Sequence, residues 1–141
     1  MLGCTDDPVW LDLPDGHLGA AEAALRSGLA AAITGADLMI APWPGDGHPD
    51  HEVVGRVAAD VAAEMGVRAV AYPVWAWCWG APEDLEAHVC SVLALPARAV
   101  RAKQAAMACY PSQTTSMLGE VIVDEAMVER FSRPFEVYVG A

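Results

Sequence analysis

The sequence predicts an α/β fold, and three observations carry that expectation. Short apolar runs alternate with longer helical patterns along the chain. One run, Ala36-Asp37-Leu38-Met39-Ile40-Ala41-Pro42, leads through a loop rich in glycine and proline into an alanine-rich helix, Val53 to Met65. Strand, loop, helix is the geometry in which such folds place chemistry at the carboxyl ends of their strands. Apolar residues fill 55% of 141 positions. That is enough for a core, and the length fits a single domain over residues 1–141.

In order, Pro8-Val9-Trp10-Leu11-Asp12-Leu13 reads as a short strand closed by the turn signal Pro14-Asp15-Gly16. Leu18 to Thr34 is a helical pattern with Leu18, Ala21, Leu25, Leu29 and Ile33 on one face, ended by Gly35. Ala36 to Ala41 is the expected central strand. Its alternation is weak, as in a strand buried on both faces. Val53, Val57, Val61 and Met65 give the next helix its buried stripe, and Gly66 stops it. Val67 to Tyr72 is a third strand, capped by Pro73.

Trp75, Trp77 and Trp79 then alternate with small residues, which places them on one strand face. Two of the three are read as packing. One, with Trp75 the candidate, is read as a platform for a sugar ring or an acyl group. Gly80 to Asp84 reads as a loop and Glu86 to Leu95 as another strand. Pro96 opens a helix to about Tyr110 that carries Lys103. Asp124 to Phe131 is a short acidic helix, and Phe135 to Val139 is the last strand.

The stretch Gly45-Asp46-Gly47-His48-Pro49-Asp50-His51-Glu52 concentrates chemistry. Pro49 suits a first helical position, where a missing N–H costs nothing. Asp50 and Glu52 fall in the first turn and offset the positive end of the helix dipole. His48 then sits at or just before the cap. His51 follows three residues on, so the two rings can face the same space. Neutral imidazole is both a zinc ligand and a proton-transfer group. Asp50 can accept a hydrogen bond from one imidazole and fix its tautomer. The competing reading is an acidic, proline-started helix with two surface histidines. Trp43 either walls the pocket or packs. Asp15 and His17 end the first predicted strand, on the same sheet edge if the strands are parallel.

Eight basic residues stand against 19 acidic ones, for a net charge of −11. No basic stripe exists to neutralise phosphates, which argues against nucleic acid and against an anionic membrane surface. No apolar run reaches the roughly 18 residues of a membrane span. The acidic start, Asp6 and Asp7, is unlike a signal peptide. Cys4, Cys78, Cys90 and Cys109 form no Cys-x-x-Cys pair and read as small buried hydrophobes in a reducing cytoplasm.

Gly47-His48-Pro49-Asp50-His51, followed by a helix, resembles the second motif of the PIG-L/LmbE-like zinc-dependent N-deacetylases. Further segments agree in the family's order. They are Leu13-Pro14-Asp15-Gly16, the aromatic stretch Tyr72 to Trp77, Lys103 with Ala106 and then Tyr110 to Gln113, and Phe135-Glu136. The matches span roughly Leu11 to Tyr138. The family's opening His-Pro-Asp-Asp motif has no counterpart. The chain starts, at Met1-Leu2-Gly3-Cys4, about where the family's second strand begins.

The resemblance implies a Rossmann-like three-layer αβα sandwich with a mostly parallel sheet, lacking the family's first strand. It implies a hydrolase that removes acetyl from an N-acetylated amino sugar of the N-acetylglucosamine type. His51 is then one zinc ligand. His17, by contrast, reads as a solvated turn histidine, with a stand-in metal ligand as the alternative. His48 is the proton-transfer residue, Asp50 its orienting partner, and Asp15 faces sugar hydroxyls. Lys103 ties to the Ser112-Gln113 turn. Two zinc ligands and the catalytic base are missing, so the chain is expected to be inactive alone. The alternative is a non-catalytic sugar-binding or interaction domain that has lost the metal half-site. Loss of a central strand leaves an apolar edge, which predicts dimerisation through that edge or marginal stability.

Overall fold

The computed structural model describes residues 7–86, 88–115 and 121–140; Cys4 and the start of the chain lie outside them. The chain is α/β. A 3-10 turn (Leu18–Ala21) leads into α1 (Glu22–Ala32), followed by β1 (Leu38–Pro42), α2 (Pro49–Met65), β2 (Arg68–Tyr72), α3 (Ala76–Trp79) and α4 (Pro82–Glu86). Then come β3 (Cys90–Ala94), α5 (Ala97–Met107), α6 (Pro111–Thr114), α7 (Glu125–Phe131) and β4 (Phe135–Val139).

Among the described residues one four-stranded sheet has the order β1-β2-β4-β3. β1 and β2 run parallel, with Leu38 opposite Arg68 and Pro42 opposite Tyr72, joined by α2 as parallel strands require. β4 runs antiparallel to β2, with Ala71 opposite Val139. Bonds from Leu95 N–H to Pro134 O and from Gly140 N–H to Val89 O frame β3 and β4 in an antiparallel sense. The sheet is therefore mixed, and the expected mostly parallel arrangement holds only for β1 and β2.

Two compact units divide the chain, Pro8–Ser91 with Val137–Ala141, and a second that includes Val92–Glu136. The core of the first is α2. Val57, Ala58, Val61 and Ala62 are at most 1% exposed and pack with Leu25 and Ile33 and with Met39 and Ala41 of β1. Helix α2 starts with Pro49 at its first position. It ends where Gly66 takes a left-handed φ of 69°, which lets the Gly66 N–H reach back to the last turn. Arg56 reaches Glu22 at 2.9 Å and Arg26 reaches Glu64 at 2.9 Å, exposed pairs that join α1 to α2 and contribute little.

In the second unit Asp124 caps α7 by accepting from Met127 N–H at 2.8 Å. The Lys103 ammonium pairs with Glu136 at 2.5 Å, not with the Ser112-Gln113 turn. The Gln113 carbonyl accepts instead from Val123 N–H at 2.9 Å.

Several further expectations are corrected. Pro8 to Leu13 forms no strand; Asp12 has a φ of 51°, which breaks an extended run, and Trp10 is 78% exposed. β1 lies at the sheet's edge, and its residues alternate: Met39 and Ala41 face α2, while Leu38 and Ile40 are exposed. The tryptophans belong to helix α3 and the residue before it, so their spacing of two is not a strand period. Pro82–Glu86 is helical, β3 is shorter than expected, and Cys90 and Cys109 are exposed.

Gly55 lets α2 close on the loop that leaves β1. A Cβ there would collide with the Pro42 carbonyl oxygen and lie 2.8 Å from Pro44 N. Alanine is better than glycine in a helix by about 1 kcal/mol, but these obstacles are backbone and overpacking costs about 1–3 kcal/mol. Gly55→Ala is therefore expected to lose stability in urea unfolding, and a gain would contradict the close approach.

Candidate functional site

The site is assembled by the loop between β1 and α2. Asp46 is fully buried, with 0% exposure. Its Oδ1 accepts from Val74 N–H at 2.8 Å and Ala76 N–H at 2.9 Å. Its Oδ2 accepts from Trp75 N–H at 3.0 Å and lies 2.6 Å from His51 Nδ1. The backbone of the same residue is also engaged. Asp46 N–H donates to Trp43 O at 3.1 Å, and Trp79 Nε1–H donates to Asp46 O at 3.3 Å. Burial, and after it the Asp46 charge, push the Tyr72 phenol above its ordinary pKa.

Gly47 follows with a φ of 73°, and a Cβ there would sit 2.6 Å from Trp79 Nε1. Glycine is required twice over, for the left-handed turn and for the approach of the indole. His48 then caps α2 in extended conformation, and the cap makes no side-chain hydrogen bond. Its Nδ1 is buried and has no hydrogen-bond partner among the described residues. The rings of His48 and His51 lie 4.6 Å apart, so the predicted convergence of the two imidazoles is present.

Asp50 behaves differently from the expectation. It does not hold an imidazole. Oδ2 accepts from Gly16 N–H at 2.6 Å and Oδ1 from Leu18 N–H at 3.1 Å. Burial works to raise its pKa, but the amides of Leu18 and Gly16 and the nearby charges of His48 and His17 outweigh it. Its carboxyl is held below the ordinary value. Asp50 therefore draws the turn that carries Asp15 and His17 up to the first turn of α2. The Asp15 side chain is exposed there, and its carbonyl accepts from His17 Nδ1 at 3.0 Å.

Trp75 and Trp79 lie four residues apart on α3 and its cap. Their rings stack 4.9 Å apart and 1° from parallel. The His48 ring is nearly parallel to Trp75, at 6.4 Å. Trp75 is half-buried, whereas Trp79 is 57% exposed and forms the open end of the stack. Trp43 is buried and meets His88 edge-on at 5.4 Å, so it packs.

The structure thus brings together His48, Asp50, His51 and Trp75, with the Asp15 turn beside them. His17 joins no metal-holding group, and among the described residues no three His, Cys, Asp or Glu side chains gather to hold a metal. Reading the sequence missed Asp46 as a site residue. Its signal was the following Gly47, whose left-handed φ turns the loop. Trp79 was missed because three tryptophans at spacing two suggested a strand. Among the described residues no helix is long and apolar enough to cross a membrane. Comparison with family models, curated proteins and solved structures finds no match.

A carboxylate whose folded-state pKa is depressed contributes stability that is fully present above its unfolded value and lost as pH falls through the folded one. For Asp50 that window lies below its ordinary value of 3.8. Asp50→Asn also places an amide N–H against a backbone donor. It is expected to lower the melting temperature at pH 7 and to flatten the acid limb of the stability curve. An acid limb unchanged in the variant would contradict the two amide contacts.

Proposed function

We propose that this chain is the His-Pro-Asp-His half of a zinc-dependent hydrolase of the PIG-L/LmbE type, acting on an N-acetylated amino sugar. The observation that carries this reading is the imidazole pair on the first turn of α2, with rings 4.6 Å apart and His51 Nδ1 held by a buried carboxylate. A carboxylate on one imidazole nitrogen is the usual support of a histidine that ligates metal through the other. His51 is one ligand, through Nε2. Zinc, when bound, supplies a Lewis acid for the amide carbonyl and lowers the pKa of water.

Zinc needs three or four protein ligands, so His51 alone is an incomplete site. On this reading the other ligands and the base come from a strand with a His-Pro-Asp-Asp type motif. Among the described residues β1 has a partner strand on one side only. Pairing along its outer edge would make β1 an interior strand and extend the sheet towards the Rossmann-like sandwich that the resemblance implies. An uncovered edge of this kind is also where a second copy could pair.

His48 is the proton-transfer group. Protonated, it gives a hydrogen bond to the developing oxyanion or a proton to the leaving amine. The negative Asp50 nearby acts on it through charge, with no hydrogen bond between them. Asp15 faces the sugar hydroxyls. Trp75 and Trp79 give the sugar ring an apolar wall. The net charge of −11 fits a neutral or cationic small molecule better than nucleic acid. A second reading, a sugar-binding domain without catalysis, is favoured by the exposure of Trp79 at the end of the stack.

Zinc analysis and deacetylase assays test this on the chain completed with a strand carrying the His-x-x-Asp pair. About one zinc per assembly is expected, lost in His51→Ala. His48→Ala is expected to keep the metal and lower turnover by roughly 100- to 10,000-fold. An assembly with neither zinc nor activity overturns the hydrolase. Metal-independent, saturable binding of N-acetylglucosamine that is lost in Trp79→Ala establishes the binding domain instead.

A further inference from the structure

We propose that Asp46 is the positioning residue of this site. It fixes the tautomer of His51: whenever that imidazole is neutral its proton sits on Nδ1, and Nε2 presents a bare lone pair before any ligand arrives. The use of that lone pair by a metal rests on the reading above; the lock itself does not.

Every neighbour of the Asp46 carboxylate fixes its role. Val74, Trp75 and Ala76 approach through backbone N–H groups, which can only donate. Two of them meet Oδ1 and one meets Oδ2. Both oxygens are therefore acceptors, and Oδ2 meets His51 Nδ1 at 2.6 Å as an acceptor too. The imidazole must then supply the hydrogen. A neutral imidazole carries one N–H, so a proton on Nδ1 leaves Nε2 without one. Histidine free in water prefers the opposite arrangement. The contact with Asp46 reverses that preference.

The geometry leaves Asp46 no slack. Its N–H, its carbonyl and both carboxylate oxygens are all engaged, and the side chain is out of contact with water. Oδ2 is shared by His51 and Trp75 N–H, so one atom sets both the imidazole and the start of the aromatic wall. Asparagine keeps the shape but turns one acceptor into an N–H donor facing other donors. Glutamate would carry the carboxylate one carbon too far. Only aspartate satisfies the four donors.

The test is nitrogen-15 NMR of the metal-free full chain, labelled at histidine, at a pH where the imidazoles are neutral. The chain has four histidines, and the His51 signals are identified by their loss in His51→Ala. His51 is expected to show a protonated Nδ1 and a bare Nε2, unlike a solvated histidine. Asp46→Asn, with folding verified by circular dichroism, is expected to shift the tautomer ratio towards Nε2–H by roughly tenfold to a hundredfold, the worth of one charge-assisted hydrogen bond. If the variant does not fold, the wild-type spectrum decides. A wild-type His51 with its proton on Nε2 overturns the proposal, and so does a folded Asp46→Asn chain with an unchanged ratio. The experiment contains no metal, so its failure is distinct from failure to hold zinc.

Discussion

A buried carboxylate organises this site. Taking Asp46 out of water costs several kcal/mol unless donors replace the solvent. Three consecutive backbone amides at the start of α3 and one imidazole do so. The amides of Trp75 and Ala76 are themselves orphans of a helix start, with no carbonyl within their own helix to meet. One side chain therefore satisfies two needs, and the loop after β1 cannot move without exposing both. Gly47 supports this arrangement through its left-handed turn, and its lack of a Cβ admits the Trp79 indole.

Helix α2 serves both the core and the site. Its middle turns carry Val57, Val61 and Ala62, which are at most 1% exposed. Its cap is His48 and its first turn carries Asp50 and His51, a short distance along the same rigid rod. Packing of the valine stripe against β1 thus sets the direction of the imidazoles. Asp50 adds a second anchor by holding the turn at Gly16 and Leu18 to the same helix start. The two aspartates divide the work: one fixes the histidine and the tryptophan wall, the other fixes the turn that bears Asp15.

The aromatic stack shows how local spacing misleads. Three tryptophans at every second position look like one face of a strand. In the structure Pro73 ends β2, and the chain turns into α3 under the pull of the Asp46 carboxylate on the amides of 74 to 76. Four residues then make about one helical turn, so Trp75 and Trp79 meet face to face. The segment from Pro8 to Leu13 fails as a strand for a comparable reason. Its apolar residues suit a sheet, but the left-handed Asp12 breaks the run, and Leu11 instead lies within reach of a Cβ built on Gly28 of α1.

What the sequence by itself determined was what depends on near neighbours. Helix α2 was legible from Pro49 to Gly66, because proline, first-turn acids, a valine stripe and a terminal glycine all act within one or two turns. The convergence of His48 and His51 was legible too, since helical spacing alone brings them together. So were β2, α7 and β4. The tertiary structure decided the partners. Asp46 chose the amides of Val74, Trp75 and Ala76, and Asp50 chose those of Gly16 and Leu18, five contacts that span 28 to 34 residues of chain. It also decided that β1 is an edge strand and that the sheet is mixed. No local pattern records which distant amide will meet a buried carboxylate, because that choice follows from the packing of α2 on the sheet.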